Sequence, residues 1–414
     1  MDRETLRRYA RLIARSGVNI QQGQYTVIRT APEQLDFVEL LAEECYLAGA
    51  AKVLVEWRYQ PFTRLDIKYQ SDEVLGRVES WEEEKMKRKT ELLPANIYLC
   101  SEDPDGLSGI DQDKWARAQQ ARYQITRPYS DAMENKYQWC VAAVAGAKWA
   151  KKVFPELDEA EAVEKLWQSI LSCARAGGED PIGDWEEHSG NLRRRCQWLN
   201  SLELRRLIYN SESTGTDFSV GLMPQMLFCG GAEKLPDKEV WYNANIPSEE
   251  VFTTPKSGDA EGVVYSTMPL SYRGVLIENF SLRFENGRVV EAHAEKNEEA
   301  LKLMLGMDEG AAMLGECALV PYKSPIRESG ILFYNTLFDE NASCHLALGM
   351  GYSSCLKDFD QYSPAEARAL GVNDSMIHED FMIGAPDLNI TGVTADGRIV
   401  EIFRNGDWPL RPEE

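Results

Sequence analysis

Residues 25–57 read YTVIRTAPEQLDFVELLAEECYLAGAAKVLVEW, and their pattern sets the interpretation of the first half of the chain. Segments 25–29 and 53–57 are rich in the β-branched and aromatic residues that favour strands. Between them, after Pro32 and before Gly49, apolar residues recur at the spacing of one helix face: Val38, Leu41, Ala42 and Cys45. A strand, a helix and a second strand in so short a stretch predict a βαβ unit, whose two strands are parallel.

The same alternation continues on both sides of this unit as far as residue 205. Helical patterns are predicted at 6–13, 82–91, 114–123, 159–174 and 191–201, and strands at 96–100 and 139–144. Helices that alternate with strands are typical of an α/β domain with a mainly parallel sheet. No GxGxxG loop follows a strand and no Walker A loop occurs, so the sequence indicates no nucleotide site there.

Hairpin patterns dominate the rest of the chain. Two pairs of strand-like segments flank a two-residue turn of the Asn-Gly or Asp-Gly kind: 275–284 with 289–294, and 390–394 with 399–403. One helical pattern, at 298–305, follows the first hairpin. We therefore expect an α/β protein with two domains, an N-terminal α/β domain at 1–205 and a C-terminal β-rich α+β domain at 206–414.

Composition limits the possible class of protein and its partners. Hydrophobic residues make up 43% of the 414 residues, which is enough for sizeable cores. Lys and Arg number 45 against 67 Asp and Glu, a net charge of -22, which argues against nucleic acid as a partner. Nine cysteines without a CxxC pair argue against a disulfide framework and against a thiolate zinc site. The first residues lack the apolar segment of a signal peptide, and no apolar run is long enough to span a membrane, so we expect a soluble cytoplasmic protein.

Side chains that bind borderline divalent metals are concentrated in the second half. Only four histidines occur in the chain, and His345 and His378 both lie in the stretch 335–384. Histidine and carboxylate are the usual ligands of metals in hydrolytic sites. Positions 378 and 380 share one face if that segment is extended. The candidate ligands lie in four short segments: Glu249 and Glu250 before a β-prone run, Glu316 before an apolar run, Asp339, Glu340 and Asn341 with His345, and His378 with Asp380.

Each of these residues also has an ordinary structural interpretation. A glutamate that precedes a strand is commonly a solvated end residue, and His345, in an apolar run, could be a hydrogen-bonded core residue. His378 and Asp380 could form a helix cap or a surface pair. We expect His188 in a polar loop and His293 on a face of a hairpin strand, and assign neither a role. From the residues alone, a metal site is one hypothesis beside these, and its reaction stays open.

Four motifs follow one another in a fixed order: IPSEEVFTTP at 246–255, LGECALVPYKSPI at 314–326, NTLFDENASCHLALG at 335–349 and IHEDFMIG at 377–384. Together with ENFSLRFENGRVVEAHAEK and, near the start, YARLIARSGVNIQQGQ, they resemble the thermophilic-type metallo-aminopeptidase family, the aminopeptidase S and aminopeptidase T group. The resemblance spans most of the chain, although residues 102–200 contribute little to it.

The resemblance implies a two-metal site in the C-terminal domain and gives each motif residue a role. It implies two divalent ions (Zn, Co, Mn or Mg) that Glu316 bridges, with Tyr352 as a catalytic hydrogen-bond donor. Glu249 is the alternative to Glu250, and Glu340 could orient a ligand histidine instead of touching metal. The implied metal ligands are Glu250, Glu316, Glu340, His345, His378 and Asp380.

The activity that the resemblance implies is that of a metal-dependent aminopeptidase acting on peptides with a free N-terminus. A water or hydroxide bridging the two ions would attack the first peptide bond, and Tyr352 would donate a hydrogen bond to the oxyanion. Glu249, Glu340 or another acid would carry the proton to the leaving amine. The family also implies a homodimer whose active sites face an internal cavity.

Two other functions are compatible with the same ligands. Another two-metal hydrolase, such as a phosphoesterase, usually needs arginine or lysine for the phosphate; no cluster of such residues accompanies the motifs, although Arg327 and Lys323 could contribute. A non-catalytic metal-binding protein would have a closed coordination shell, and its metal would be part of the fold. Chelation would then unfold the protein, whereas in an enzyme it would abolish turnover.

Overall fold

The structure, a computed structural model, describes residues 1–236 and 238–409. Contacts between residues divide the chain into two compact units, and each unit takes residues from two separate segments. The first unit comprises Met1–His188 and Ala232–Ser248, and the second comprises Ser189–Gly231 and the chain from Glu249 onward. The two predicted domains, 1–205 and 206–414, stay predictions of the sequence.

The described residues form thirteen α-helices and nineteen strands. The helices are α1 (Arg3–Leu12), α2 (Leu35–Ala48), α3 (Gln60–Tyr69), α4 (Asp72–Leu75), α5 (Ser80–Leu92), α6 (Gln112–Met133), α7 (Ala147–Val153), α8 (Glu159–Cys173), α9 (Pro181–Ser201), α10 (Glu298–Leu305), α11 (Pro325–Glu328), α12 (Thr336–Asp339) and α13 (Pro364–Leu370). The strands are β1 (Tyr25–Thr30), β2 (Lys52–Trp57), β3 (Ala95–Cys100), β4 (Trp139–Ala143), β5 (Leu204–Ser211), β6 (Thr216–Gly221), β7 (Glu233–Lys234), β8 (Trp241–Tyr242), β9 (Asn245–Ile246), β10 (Val251–Thr253), β11 (Ala260–Tyr265), β12 (Leu270–Tyr272), β13 (Val275–Glu285), β14 (Arg288–Lys296), β15 (Leu314–Leu319), β16 (His345–Gly349), β17 (His378–Met382), β18 (Asn389–Thr394) and β19 (Ile399–Phe403).

The first unit is built on a five-stranded sheet, in the order β2-β1-β3-β4-β9, in which every strand pair is parallel. Parallel strands need crossover connections that cover the sheet, and β1, β3 and β4 are accordingly mostly buried. The elements β1, α2 and β2 confirm the predicted βαβ unit. Beside the sheet, the rings of Tyr9, Phe37 and Trp167 contact one another in the core. The expected α/β class is confirmed.

The second unit contains two antiparallel sheets. The larger has eight strands in the order β12-β13-β11-β6-β5-β18-β19, and β14 pairs with β13. The pairs β13–β14 and β18–β19 confirm both predicted hairpins, and α10 has the predicted bounds. His293 lies exposed on β14, as expected. The smaller sheet has the order β10-β15-β16-β17 and carries most of the candidate ligands.

Several helices differ from the sequence-based predictions. α6 and α9 extend beyond the predicted 114–123 and 191–201, because the low helix propensity of Pro128 and Gly190 hides part of each helical pattern. The expectation that His188 lies in a loop is wrong, since it lies within α9 and its Nε2 is 2.7 Å from the Ser248 carbonyl oxygen. The helices α3, α4, α7, α11, α12 and α13 are absent from the predicted set. No helix among the described residues has the length and hydropathy needed to cross a bilayer.

Candidate metal centre

The register of the smaller sheet brings four candidate ligands to one face. Glu316 on β15 lies opposite Ala347 on β16, and Ala347 lies opposite Asp380 on β17. Residues directly opposite each other in an antiparallel pair point to the same face, as do alternate residues along one strand. His345 and His378 lie two positions from Ala347 and Asp380, and therefore share this face. Ala347, which lies between the two carboxylates, carries only a methyl group.

Glu250 reaches the same cluster from the edge strand of the sheet. It is the last residue before β10, whose Thr253 pairs with Cys317 on β15. Its Oε2 lies 3.2 Å from Nε2 of His345. Glu250 therefore occupies the strand-entry position that the sequence pattern predicts for it.

The atoms able to bind a metal form two groups that share one residue. Ligand atoms of Glu250, Glu316 and His345 lie within 4.8 Å of one another, and those of Glu316, His378 and Asp380 do so too. Oε2 of the shared Glu316 lies 3.1 Å from Nε2 of His378. Oδ1 of Asp380 lies 3.5 Å from that nitrogen and 3.9 Å from Nε2 of His345, so the two groups are contiguous.

Glu340 is buried beside the two groups but belongs to neither. It begins the 3₁₀ turn Glu340–Ala342 that precedes β16, and its Oε1 accepts a hydrogen bond of 3.2 Å from Asn341 Nδ2. Among the charges that act on it, that of Asp380 is the strongest. Both roles expected for Glu340, ligand or support of a ligand, therefore stay predictions.

Backbone carbonyl groups orient the two histidines. Nδ1 of His378 lies 2.7 Å from the carbonyl oxygen of Met350, and Nδ1 of His345 lies 3.3 Å from that of Ser343. A carbonyl oxygen accepts only from a protonated nitrogen, so in the neutral ring these contacts leave the lone pair on Nε2. Once the rings are neutral, both Nε2 atoms therefore present to the carboxylates the lone pair that a metal ion requires.

Burial and crowded negative charge oppose ionisation of the carboxyl groups. Burial, with the charges of Glu250 and Asp380, raises the pKa of Glu316 to about 7. Burial also raises the pKa of Glu340 well above its ordinary value, and the charge of Asp380 adds to that effect. These carboxyl groups are therefore costly to ionise as they stand, because water is excluded and the neighbouring charges repel one another.

The histidines compensate part of this negative charge. Burial lowers the pKa of His345, but the hydrogen bond and charge of Glu250, with the charges of Asp380 and Glu316, together outweigh burial and raise the pKa to about 9. Burial likewise lowers the pKa of His378, but the charges and hydrogen bonds of Asp380 and Glu316 together outweigh burial and raise that pKa well above its ordinary value. Burial raises the pKa of Asp380, yet the charges of His378 and His345, with hydrogen bonds from His378 and Glu340, together bring that pKa below its ordinary value. Without metal, the imidazoles thus hold protons in the position that a cation would take.

The residues present fit a divalent cation. Oδ1 of Asp380 is buried and has no hydrogen-bond partner among the described residues. A buried polar atom of this kind calls for a partner, and a cation beside crowded carboxylates reverses the rise in their pKa. The mixture of carboxylate oxygen and imidazole nitrogen suits zinc, cobalt or manganese, and the oxygens suit magnesium.

Tyr352 lies beside the group that contains His378. Its hydroxyl oxygen is 3.1 Å from Nε2 of His378, and the centroids of the two rings are 4.8 Å apart. The ring of Phe252 contacts Tyr352 from another side, with centroids 5.6 Å apart. Burial, with the charge of Glu316, raises the pKa of Tyr352 well above its ordinary value. The phenol therefore keeps its proton at neutral pH and can donate a hydrogen bond.

The sequence-based prediction missed a residue that supports the site. Asn341 Oδ1 accepts a hydrogen bond of 2.7 Å from the backbone N–H of Glu249, while its Nδ2 donates to Glu340. Asn341 is fully buried and so ties the segment that enters β10 to the turn that precedes β16. Its place between the acid and the histidine of the DENASCH motif is the one signal that could have identified it.

Comparison with protein families explains this arrangement. The family model described as thermophilic metalloprotease (M29) matches residues 2–408. The chain belongs to this family. The resemblance drawn from the motifs is therefore confirmed, and with it the expectations of a divalent metal and of peptide substrates.

Individual members of the family are similar to this chain over nearly its full length. Aminopeptidase AmpS of Bacillus subtilis (strain 168) is 42% identical over 406 residues, which are 98% of this chain and 98% of that protein. The solved structure of wild-type AmpT from Thermus thermophilus matches with a TM-score of 0.87 at 36% identity, covering 98% of this chain and 99% of that one. A dihydroxypyridine dioxygenase from Pseudomonas putida KT2440 matches with a TM-score of 0.52 at 12% identity, over 99% of this chain and 97% of that one. This last likeness concerns the fold alone.

Proposed function

We propose that this chain is a metal-dependent aminopeptidase that releases N-terminal amino acids from peptides through a two-metal site. Family membership and the near full-length similarity to aminopeptidase AmpS support the activity. The proposal of two metal ions is supported by one observation: Glu316 belongs to both groups of ligand atoms. Two ions about 3.5–4 Å apart usually need one carboxylate between them, and Glu316 has the position for that role.

Each ion is assigned to one group. Glu250, Glu316 and His345 would hold the first ion, and Glu316, His378 and Asp380 the second. Glu340 completes the set as a further ligand or as support for one. Four carboxylates and two neutral imidazoles balance the charge of two dications. Zinc, cobalt, manganese and magnesium all suit these donor atoms, and elemental analysis of the purified protein decides between them.

When bound, the ions would act as Lewis acids that activate a water molecule and the scissile carbonyl group, and they would bind the free α-amine of the peptide. The chain supplies the hydrogen-bonding and proton-transfer groups. The Tyr352 hydroxyl, which is protonated and lies 3.1 Å from His378 Nε2, donates to the carbonyl oxygen as negative charge develops on it. Glu249 and Glu340, both buried near the ligands, are the candidates that move a proton to the leaving amine.

A homodimer and a cytoplasmic location are the finer parts of this proposal. The motif resemblance supports the homodimer, and the nine scattered cysteines, an odd number without a CxxC pair, support a reducing compartment. Light scattering of the purified protein gives the mass of the assembly directly. A mass of one chain at working concentrations would remove the homodimer from the proposal.

The phosphoesterase alternative has less support. A phosphate ester needs cationic side chains beside the metals. Arg327, one of the two candidates, instead lies over the ring of Tyr322, 4.8 Å from the centroid, and donates to its hydroxyl at 2.8 Å. No specific observation favours a phosphate substrate.

An assay with matched substrates tests the proposed function. Protein is stripped of metal with a chelator, reloaded with each of the four ions, and given a free peptide, the same peptide acetylated at its N-terminus, and a phosphate monoester. We expect release of the first residue from the free peptide only, lost on chelation and restored by reloading. Equal cleavage of the acetylated peptide, or turnover of the phosphate ester alone, would refute the aminopeptidase assignment.

A further inference from the structure

One strand-entry segment serves both the candidate metal ligands and Tyr352. Glu250, Phe252 and Thr254 alternate along the chain at β10, and alternate residues of an extended segment face one side. The Glu250 carboxylate meets His345, whereas the Phe252 ring contacts the ring of Tyr352 at an interplanar angle of 69°. The same short segment thus touches the first ligand group and the proposed hydrogen-bond donor.

Thr254 holds the backbone of Tyr352 from both sides of the residue. Its Oγ1 accepts a hydrogen bond of 2.7 Å from the Tyr352 N–H and lies 3.2 Å from the Tyr352 carbonyl oxygen, to which it can donate. The threonine is fully buried, and the two residues are 98 positions apart in the chain. A buried hydroxyl with both partners inside the protein has no competing water, so its bonds define the position of the residue they hold.

We propose that Thr254 is a positioning residue for the reaction: its hydroxyl, helped by the Phe252 ring, fixes the Tyr352 phenol beside the ligands. This inference rests on the proposed function. The phenol must meet the carbonyl oxygen of the substrate at hydrogen-bond distance, and a displacement of about 1 Å can cost up to about a hundredfold in rate. The alternative is that Thr254 serves folding alone, as many buried threonines do.

Matched substitutions separate these two roles. Thr254→Val keeps the shape of the side chain but removes the hydroxyl, whereas Thr254→Ser keeps the hydroxyl. We expect Thr254→Val to lower kcat by about tenfold, with KM and metal content within about twofold of wild type, and Thr254→Ser to restore kcat to within about twofold. A purely structural role would instead show as a lower melting temperature or lost metal, with normal kcat per metal-loaded molecule.

A double-mutant cycle identifies the path through Tyr352. In a Tyr352→Phe background, which lacks the phenol, Thr254→Val should lower kcat by less than about twofold further. Phe252→Leu provides a second probe if Thr254→Val does not fold, and it should lower kcat in the wild-type background but not in the Tyr352→Phe background.

The outcomes distinguish this inference from the proposed function. Three results would overturn the positioning role. Thr254→Val could keep the full kcat, or Thr254→Ser could lose as much kcat as Thr254→Val. In the third, Thr254→Val would lower kcat tenfold in the Tyr352→Phe background as well. Full kcat in Phe252→Leu would also overturn the positioning role where that variant is the one measured. If the wild-type protein does not release N-terminal residues, or Tyr352→Phe keeps full kcat, the proposed function fails first.

Discussion

Removing the metal should make the stability of the protein fall steeply as the pH rises. The perturbation is chelation, and the groups responsible include Glu316 and His345; the raised pKa values of Glu340 and His378 act in the same direction. The pKa of Glu316 rises from an ordinary 4.5 to about 7, and that of His345 from 6.5 to about 9. Both groups bind protons more tightly in the folded protein, so each stabilises it fully below its ordinary pKa and loses that contribution as the pH rises through the folded value.

The size of the effect follows from these two shifts. At about 1.36 kcal/mol per pKa unit, each corresponds to about 3 kcal/mol in the free energy of unfolding. The two groups interact with the same carboxylates, so their joint effect lies between about 3 and 6 kcal/mol. At about 2 to 4 °C per kcal/mol, the value for a cooperative unit of about 150–250 residues such as the second unit, the melting temperature of that unit should fall by roughly 6 to 24 °C between pH 5 and pH 9. The pKa of Asp380 is lowered, so its contribution is lost only at acid pH, outside this window.

The assay is a series of thermal melts followed by circular dichroism, at fixed chelator concentration and several pH values. Metal-free Glu316→Gln is the matched control, because a glutamine of similar size cannot titrate. Between pH 5 and pH 9, the free energy of unfolding of this variant should fall by about 3 kcal/mol less than that of the wild type, because the contribution of Glu316 is missing. Metal-loaded protein should show the opposite trend, since ligands must lose their protons before a metal binds. A metal-free protein that becomes more stable from pH 5 to pH 9, or that matches Glu316→Gln, would refute the reasoning.

Three further predictions concern the site directly. Glu316→Gln should remove activity and lower bound metal by elemental analysis, because both ligand groups lose a member; wild-type metal content would contradict the bridging role. Tyr352→Phe should keep its metal but lower kcat by about ten- to a thousandfold, as expected for one lost oxyanion donor, and an unchanged kcat would remove Tyr352 from the mechanism. Gly315→Ala should lower metal content and activity, because its Cβ would lie 2.1 Å from the carbonyl oxygen of Met350. Gly306→Ala, whose Cβ would meet nothing closer than 3.4 Å, is its control and should behave as wild type.

The sequence predicted the strands of the site better than their register. The period-two spacing of 378 and 380 correctly predicts that both side chains share a face, because β17 is a regular strand. Nothing local indicates that Glu316 lies opposite Ala347, since β15 and β16 are joined by a long connection and not by a two-residue turn. For the same reason, the contact of Thr254 with Tyr352 has no signal in either stretch of sequence.

The helices of the first unit show the complementary limit. β1, α2 and β2 follow directly from their patterns, because strong propensities agree there with Pro32 in the turn before the helix and Gly49 directly after it. α3 carries exposed apolar residues, among them Phe62 and Tyr69, which blur the alternation of apolar and polar positions on which a helix is recognised. The secondary-structure predictions are therefore correct where the intrinsic propensity of the residues agrees with their pattern of burial. They fail where only the packing of the folded protein determines the element.

The triplet Leu314-Gly315-Glu316 shows how a motif can encode more than a ligand. A β-bulge lies between Leu314 and Glu316, so the regular pairing of β15 with β16 shifts at the glycine. A side chain at Gly315 would collide with the Met350 carbonyl oxygen, and that oxygen lies 2.7 Å from Nδ1 of His378. The missing side chain thus admits the carbonyl group that turns Nε2 of His378 towards Glu316, the next residue along the chain. The glycine is needed because the shared glutamate and the acceptor that orients its histidine must occupy adjacent space.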